Sequence, residues 1–232
     1  MRVADLTWMQ VEAYLEKEDL CVLPLGCTEQ HAHLSLATDT TLADRVAMEA
    51  AEPLGVLVFP AVPYGITPYF MAYPGTVTVS PTTYERLLTE VLGSLRRHGF
   101  RRIAIVNGHG GNTPARPTAE AWARRRKGVT LRWHDWWKAP RMRAAIDAID
   151  PEASHASWME SFPWTRVRGA EPPSAHKPRV DLSGTSDISP ARFRALIGDG
   201  SFGGYYERPE DEMEAIWKIA VEETRAVLSE GW

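Results

Sequence analysis

Only two cysteines, Cys21 and Cys27, occur in 232 residues, so no disulfide framework holds this chain together. Cys21 lies inside an apolar run, where a buried, inert thiol is expected. No apolar stretch approaches the ~18 residues that a membrane-spanning helix needs. The opening segment MRVADLTWMQ does not read as a signal peptide, and a cytoplasmic location with no membrane partner is expected. An excess of positive charge is also missing. The formal charge is −4 and the isoelectric point near 6.0, which leaves no electrostatic case for nucleic acid. The densest basic run, Arg124–Lys127, closes a predicted helix, where cations complement the helix dipole and need no further role. Low-complexity tracts and fixed-period repeats are lacking as well.

Hydrophobic residues make up 44% of the chain and charged residues 24%, enough for one large core. One domain over residues 1–232 is expected. Seventeen glycines and seventeen prolines, evenly spread, indicate many tight connections. Nine tryptophans are scattered and read as core or subunit contacts.

Helical spacing predicts a helix over Thr7–Glu18, with Thr7 as its cap. Leu20–Leu25 reads as an apolar strand ended by Gly26, Leu42–Ala51 as a helix and Val56–Phe59 as a strand. A long loop, PAVPYGITPYFMAYPG, leads to a short predicted strand, Thr76–Val79. Ser80-Pro81 opens a helix that runs to His98, with Gly99 as its C-cap. Strand Arg102–Val106 stops in Asn107-Gly108-His109-Gly110-Gly111-Asn112. Helix Pro114–Arg126 and strand Val129–Trp133 follow. Then come a helix near Arg141–Ile149, a polar segment Ser161–Ser189 and a final amphipathic helix Glu210–Ser229. Strands alternating with helices imply an α/β fold, a mostly parallel sheet covered on both faces. In such sheets the site lies beyond the carboxyl ends of the strands.

Three segments carry residues suited to metal chemistry. In the first, Glu29 and His31 stand two apart and face the same way in an extended stretch, and Asp39 sits near a helix start. Two carboxylates and an imidazole form a mixed O/N donor set that suits zinc or manganese better than calcium. Taken singly, Asp39 also reads as an N-cap, His33 as a packing residue, and Glu29 and His31 as solvated loop residues. The second segment, Asn107–Asn112, sets His109 among three glycines that allow close backbone approach and positive φ. It has neither the spacing of a dinucleotide loop nor the lysine of a phosphate loop, yet a tight turn with an incidental histidine remains open. The third, Ser154–Ser161, offers His155 and Glu160, although a surface helix end is the other reading. Together Glu29, His31, Asp39, His109 and Glu160 could bind two divalent ions if one carboxylate bridges them.

At these residues the chain resembles the creatininase family. GCTEQHAHLSLATD is similar to the family's first motif, NGHGGN matches its second, HASWMES its third, and Pro74-Gly75-Thr76 is a further family feature. The resemblance implies that Glu29, Asp39 and His109 hold one metal and that His31, Asp39 and Glu160 hold the other, with Asp39 bridging. Two divalent ions per chain are implied, zinc first and manganese second, with iron occurring among relatives. A three-layer α/β/α domain and a homohexamer are implied too. There are departures. The first motif is one residue short before His33-Leu34, Ser35 replaces the common proline, and Tyr69-Phe70 stand where the family often has Glu-His. A less polar pocket wall, and a substrate other than creatinine, follow from that last change.

The expected function is metal-dependent hydrolysis of an amide in a small molecule (a cyclic amide, a formamide or a short peptide) by a bridging hydroxide. His155 is the candidate proton donor to the leaving nitrogen, its other role being to orient Glu160. Tyr64, Tyr69, Phe70 and Tyr73 are candidates for the pocket wall or a subunit contact. Two other classes compete: a non-catalytic small-molecule or nucleotide-binding domain using Asn107–Asn112, and a structural oligomer whose metals only stabilise it.

Overall fold

Two central strands buried on both faces set the architecture. A computed structural model describes residues 1–185 and 187–232. Its main sheet contains β1 (Leu20–Leu25), β2 (Leu57–Val58), β3 (Arg102–Asn107) and β4 (Thr130–Asp135), all parallel and ordered β2-β1-β3-β4. Leu20 and Val22 of β1 and Ala104 and Val106 of β3 point to one face. There they pack with α2 (Thr38–Ala51), α5 (Pro140–Ile149) and α7 (Glu210–Ser229). Cys21, Leu23 and Leu25, with Ile103 and Ile105, point to the other face, against α1 (Trp8–Leu15), α3 (Pro81–His98) and α4 (Arg116–Arg124). Both faces of the pleat are covered because every side chain of β1 is apolar and buried. The result is the expected three-layer α/β/α arrangement.

Local signals place several elements where the sequence puts them. Thr7 closes a capping box with Gln10. The Ser80 side chain accepts from the Thr83 N–H, with Pro81 at the first helical position. Other elements differ. Helix α1 ends at Leu15, three residues early. Thr76–Val79 forms no strand, only single bridges from Val77 to Thr28 and from Thr78 to Gly65, since it lies against loops and not against the sheet. The stretch before α4 is a 3-10 turn, Gly110–Ala115. A helix that the sequence reading passed over, α6 (Pro190–Ile197), starts at Ser189-Pro190 with the Ser189 side chain accepting from Arg192 N–H. That start repeats the Ser-Pro signal of α3. A small antiparallel pair, β5 (His176–Lys177) and β6 (Gly204–Tyr205), lies outside the main sheet.

The connections leave β1 and β3 toward opposite layers, because β1 leads into α2 and β3 into α4. A crevice therefore opens beyond the carboxyl ends of these neighbouring strands. Leu25 and Asn107 are paired in register at its base, and the chain enters the crevice at Gly26 and Gly108. No helix among the described residues is long and apolar enough to cross a membrane.

His134 on β4 lies under α7, its Nε2 3.1 Å from the Thr224 hydroxyl, which itself donates to the Ala220 carbonyl. Burial holds this imidazole below its ordinary value, although Glu223 and Asp135 pull the other way. A histidine whose folded pKa is depressed stabilises the fold above its unfolded value of about 6.5 and loses that contribution as pH falls through the folded pKa. His134→Gln is expected to flatten the fall of melting temperature with acidification below pH ~6.5. Parallel slopes for the two proteins would remove His134 from the acid response.

Candidate metal centre

Two glycines bring the walls of the crevice together. A Cβ on Gly26 would lie 2.4 Å from the Thr40 Cα, and one on Gly108 would lie 2.5 Å from the Asp39 carbonyl oxygen. Only a residue without a side chain permits such an approach. None of Gly108, Gly110 and Gly111 has a left-handed φ, so positive φ, expected from the sequence, is not their use. The use of Gly108 and Gly111 is contact, whereas Gly110 faces open space. A Cβ on Gly111 would meet the Ile66 carbonyl oxygen at 2.0 Å. The loop spends its polar groups on itself and on the neighbouring strands. Asn107 donates to the His109 carbonyl at 2.8 Å and to Asp135 at 2.7 Å, and Asn112 donates to the Gly26 carbonyl at 3.0 Å.

All five sequence-predicted donors converge in this crevice, and all are buried. Asp39 is not the N-cap of α2, which is Ala37. It stands in the first turn with its carboxylate inward. Its Oδ1 lies 3.0 Å from His31 Nε2, and its Oδ2 lies 2.9 Å from His109 Nδ1. Glu29 Oε1 is 3.4 Å from His109 Nδ1, and Glu160 Oε2 is 3.8 Å from His31 Nε2. Besides a grouping of Glu29, His31 and His155, two donor sets flank Asp39: Cys27, Glu29, Asp39 and His109 on one side and His31, Asp39 and Glu160 on the other. Asp39 belongs to both.

The histidines are oriented by hydrogen bonds on their far sides. His31 Nδ1 lies 3.2 Å from the Glu29 carbonyl, and His109 Nε2 lies 3.1 Å from the Ile66 carbonyl. Each carbonyl accepts, so each ring carries a proton there, and a neutral ring then turns its lone pair toward the carboxylates. Lone pair facing lone pair is unfavourable unless a cation lies between them. His31 Nε2, Glu29 Oε2 and Asp39 Oδ2 make no hydrogen bond although all are buried, a costly state for polar atoms. The donor set therefore fits divalent metal.

Without a cation the histidines would have to compensate the carboxylates. Burial pushes the His31 pKa down, but Asp39, Glu160 and Glu29 more than offset this and raise it to about 10. His109 is likewise raised, burial being overridden by Glu29 and Asp39. Burial would raise Asp39, yet His31 and His109 hold it well below the usual carboxylate range. Glu160, lacking so close a partner, is pushed by burial up to about 7.

His155 also arrives here. Its Nδ1 is 3.7 Å from Glu29 Oε1, and 14% of its side chain remains exposed. It stacks on Phe70 at 4.8 Å and sits 4.4 Å from the His31 ring. Burial and His31 hold it well below the ordinary histidine value. His33 stays outside the donor sets, its ring edge-on to Tyr206 at 5.7 Å, as the packing reading expects. A cavity of about 330 Å³ opens over the cluster, with Tyr69, Phe70 and Phe202 among its walls. Tyr64 is exposed, and Tyr73 instead donates to the Gly198 carbonyl at 2.8 Å. Neither lines this cavity.

Sequence reasoning missed two neighbours. Cys27 lies beside Glu29 and Asp39, and burial pushes its thiol up to about 11. Two positions before Glu29 in an extended stretch, it shares that residue's face, which was the available signal. Gln30 holds the His155 side, its Nε2 2.9 Å from His155 Nε2 and donating to the Gly200 carbonyl at 3.0 Å. Two non-glycine residues with left-handed backbone, Ala32 (φ 51°) and Ala156 (φ 56°), directly follow His31 and His155. The Ala156 N–H donates to Glu160 Oε2 at 2.7 Å.

The fold and this crevice define a metal-site α/β protein, and the comparisons agree with it. The family model for creatinine amidohydrolase matches residues 4–228, and the chain belongs to the creatininase family. Creatinine amidohydrolase of Pseudomonas putida is 31% identical over 166 residues, 65% of this chain and 63% of that one. A mycofactocin precursor peptide peptidase of Mycolicibacterium smegmatis is 39% identical over 112 residues, 45% of each chain. The matched stretch thus spans less than two thirds of either relative. Two solved structures, a mutant creatininase of Zn-Zn type and a creatininase described as Mn, superpose with a TM-score of 0.78 at 23% identity. They cover 99% of this chain and 97% of theirs. At that identity the likeness concerns the fold.

Gly108→Ala tests the close approach. The new methyl would press on the Asp39 backbone and on Ala43 Cβ at 2.9 Å. The variant should lose about 1–3 kcal/mol of stability together with much of its bound metal. An unchanged melting temperature with full metal content would show that the approach is dispensable.

Proposed function

We propose that this chain is a binuclear metal-dependent amidohydrolase acting on a small molecule. Glu29, Asp39 and His109 would hold one divalent ion, and His31, Asp39 and Glu160 the other, with zinc the first choice and manganese the second. One observation carries the reading. The two oxygens of Asp39 each face a different imidazole nitrogen, at 3.0 and 2.9 Å, while His31 Nε2 and Asp39 Oδ2 make no hydrogen bond. A carboxylate so disposed suits a bridge between two cations. The nucleotide-binding alternative has no such support, since the 107–112 loop commits its side-chain amides to its own fold.

Two divalent ions held there would polarise an amide carbonyl and acidify a water molecule. The chain's own residues supply the rest. His155 is neutral at rest and lines the cavity, so it can accept the proton of the attacking water and return it to the leaving nitrogen. Gln30 and Phe70 hold its ring in place. The same loop orients Glu160 through the Ala156 N–H, which makes positioning the second role open to it. Tyr69, Phe70 and Phe202 form an apolar wall that excludes water beside the reacting bond. The resemblance further suggests one domain, a homohexamer and a cytoplasmic location.

Metal analysis and an assay for amine release test this reading together. About two equivalents of metal per chain, with hydrolysis lost to a chelator and restored by zinc or manganese, is the expected result. A metal-free, inactive protein after zinc loading would overturn it. Asp39→Asn should empty both sites. His155→Ala should keep both metals while turnover falls about 10²–10⁴-fold, and full activity in that variant would remove His155 from proton transfer.

A further inference from the structure

Charge is segregated in the cavity over the donor cluster. Its floor carries the carboxylates Glu29, Asp39 and Glu160, whereas its other charged lining residues are all cationic: Lys138, Arg143 and Arg179. The three come from separate parts of the chain. Lys138 ends the short turn after β4, Arg143 is on α5, and Arg179 follows β5. Arg143 is half-buried and held by Asp147, its Nε 2.9 Å from that carboxylate. Lys138 and Arg179 have no carboxylate within ion-pair distance among the described residues.

Arg179 is exposed, but its backbone is packed in place. A Cβ on Gly203 would lie 2.5 Å from the Arg179 Cα, and the Val180 N–H donates to the Phe202 carbonyl at 2.8 Å. The backbone of Arg179 is thus packed against the segment that also supplies Phe202 to the cavity wall. Lys138 and Arg179, both exposed and without an ion-pair partner, line a cavity whose floor is read as holding two dications, and like charges so placed repel one another. An anion entering from solvent would remove that repulsion, and the net positive field would draw it in.

We propose that the amide substrate carries an anionic group, carboxylate or phosphate, held at the cavity mouth by Lys138 and Arg179 beside the Asp147-bound Arg143. The inference rests on the hydrolase reading above and narrows its substrate class. Arginine matches an oxyanion bidentately and lysine adds a point charge. The scissile amide then lies toward the floor, its apolar part against Tyr69, Phe70 and Phe202. Acylated amino acids, lactams bearing a carboxylate and short peptides with a free C-terminus have this shape. An amide bearing a phosphate is the other source.

Matched probes test the proposal by calorimetry, apart from turnover. An N-acylglycine and 2-pyrrolidone-5-carboxylate are compared with neutral partners in which hydroxymethyl replaces the carboxylate. An acylaminomethylphosphonate serves as the phosphate arm. Zinc-loaded and metal-free wild type and the Lys138→Gln/Arg179→Gln double variant are each titrated. Wild type should bind the anionic member about tenfold or more tightly, and the double variant should lose most of that preference while keeping its metal. Tighter binding of the phosphonate than of the acylglycine would identify phosphate as the group. Equal binding of charged and neutral probes, binding of neither, or a preference that survives in the double variant would each overturn the inference. Assaying the same amides for hydrolysis separates the two readings. Hydrolysis without anion preference would sink the mouth and leave the hydrolase standing. Anion-selective binding with no amide cleaved would do the reverse.

Discussion

Asp39 between His31 and His109 is the contact on which the rest of the crevice depends. It joins the loop after β1, the start of α2 and the loop after β3 through one carboxylate whose oxygens lie 3.0 and 2.9 Å from the two rings. Three carboxylates buried so near one another repel strongly at low dielectric. The arrangement persists only with positive charge among them, supplied by protonated imidazoles or by metal. The far-side hydrogen bonds to the Glu29 and Ile66 carbonyls are compatible with either, and the lack of a hydrogen bond at the inward His31 Nε2 and Asp39 Oδ2 fits metal better.

The surrounding fold is built to hold that contact. Gly26 and Gly108 let the loops touch α2, and the Asn107 and Asn112 side chains donate to buried loop carbonyls. Left-handed backbone at Ala32 and Ala156 costs of order 1 kcal/mol or more each. Both lie immediately after site histidines, and the Ala156 strain aims an N–H at Glu160. Around this polar floor the cavity lining includes both aromatic and cationic residues.

Much of this was legible in the residues. Strand β1, helix α3 and helix α7 follow the sequence boundaries, because apolar runs, Ser-Pro caps and helical periodicity act over a few residues. The five donors and His155 were likewise nameable, since their residue types cluster in three short motifs. Helix α6 was overlooked although Ser189-Pro190 announces it. The supposed strand at Thr76–Val79 failed because alternation cannot tell a sheet neighbour from a loop neighbour. Cys27 and Gln30 carried only weak signals, as a small thiol and an amide acquire a role from what packs against them.

The sequence by itself determined which residue types suit metal chemistry, which strands are buried on both faces and that the two cysteines stay free. These depend on composition and on short-range periodicity. Tertiary structure alone decided that Asp39 faces both histidines, which nitrogen of each ring is free, and that Lys138, Arg143 and Arg179 meet over one cavity. Such facts depend on distances between segments dozens of residues apart, set by the crossing of β1 and β3 into opposite layers, and no local pattern encodes them.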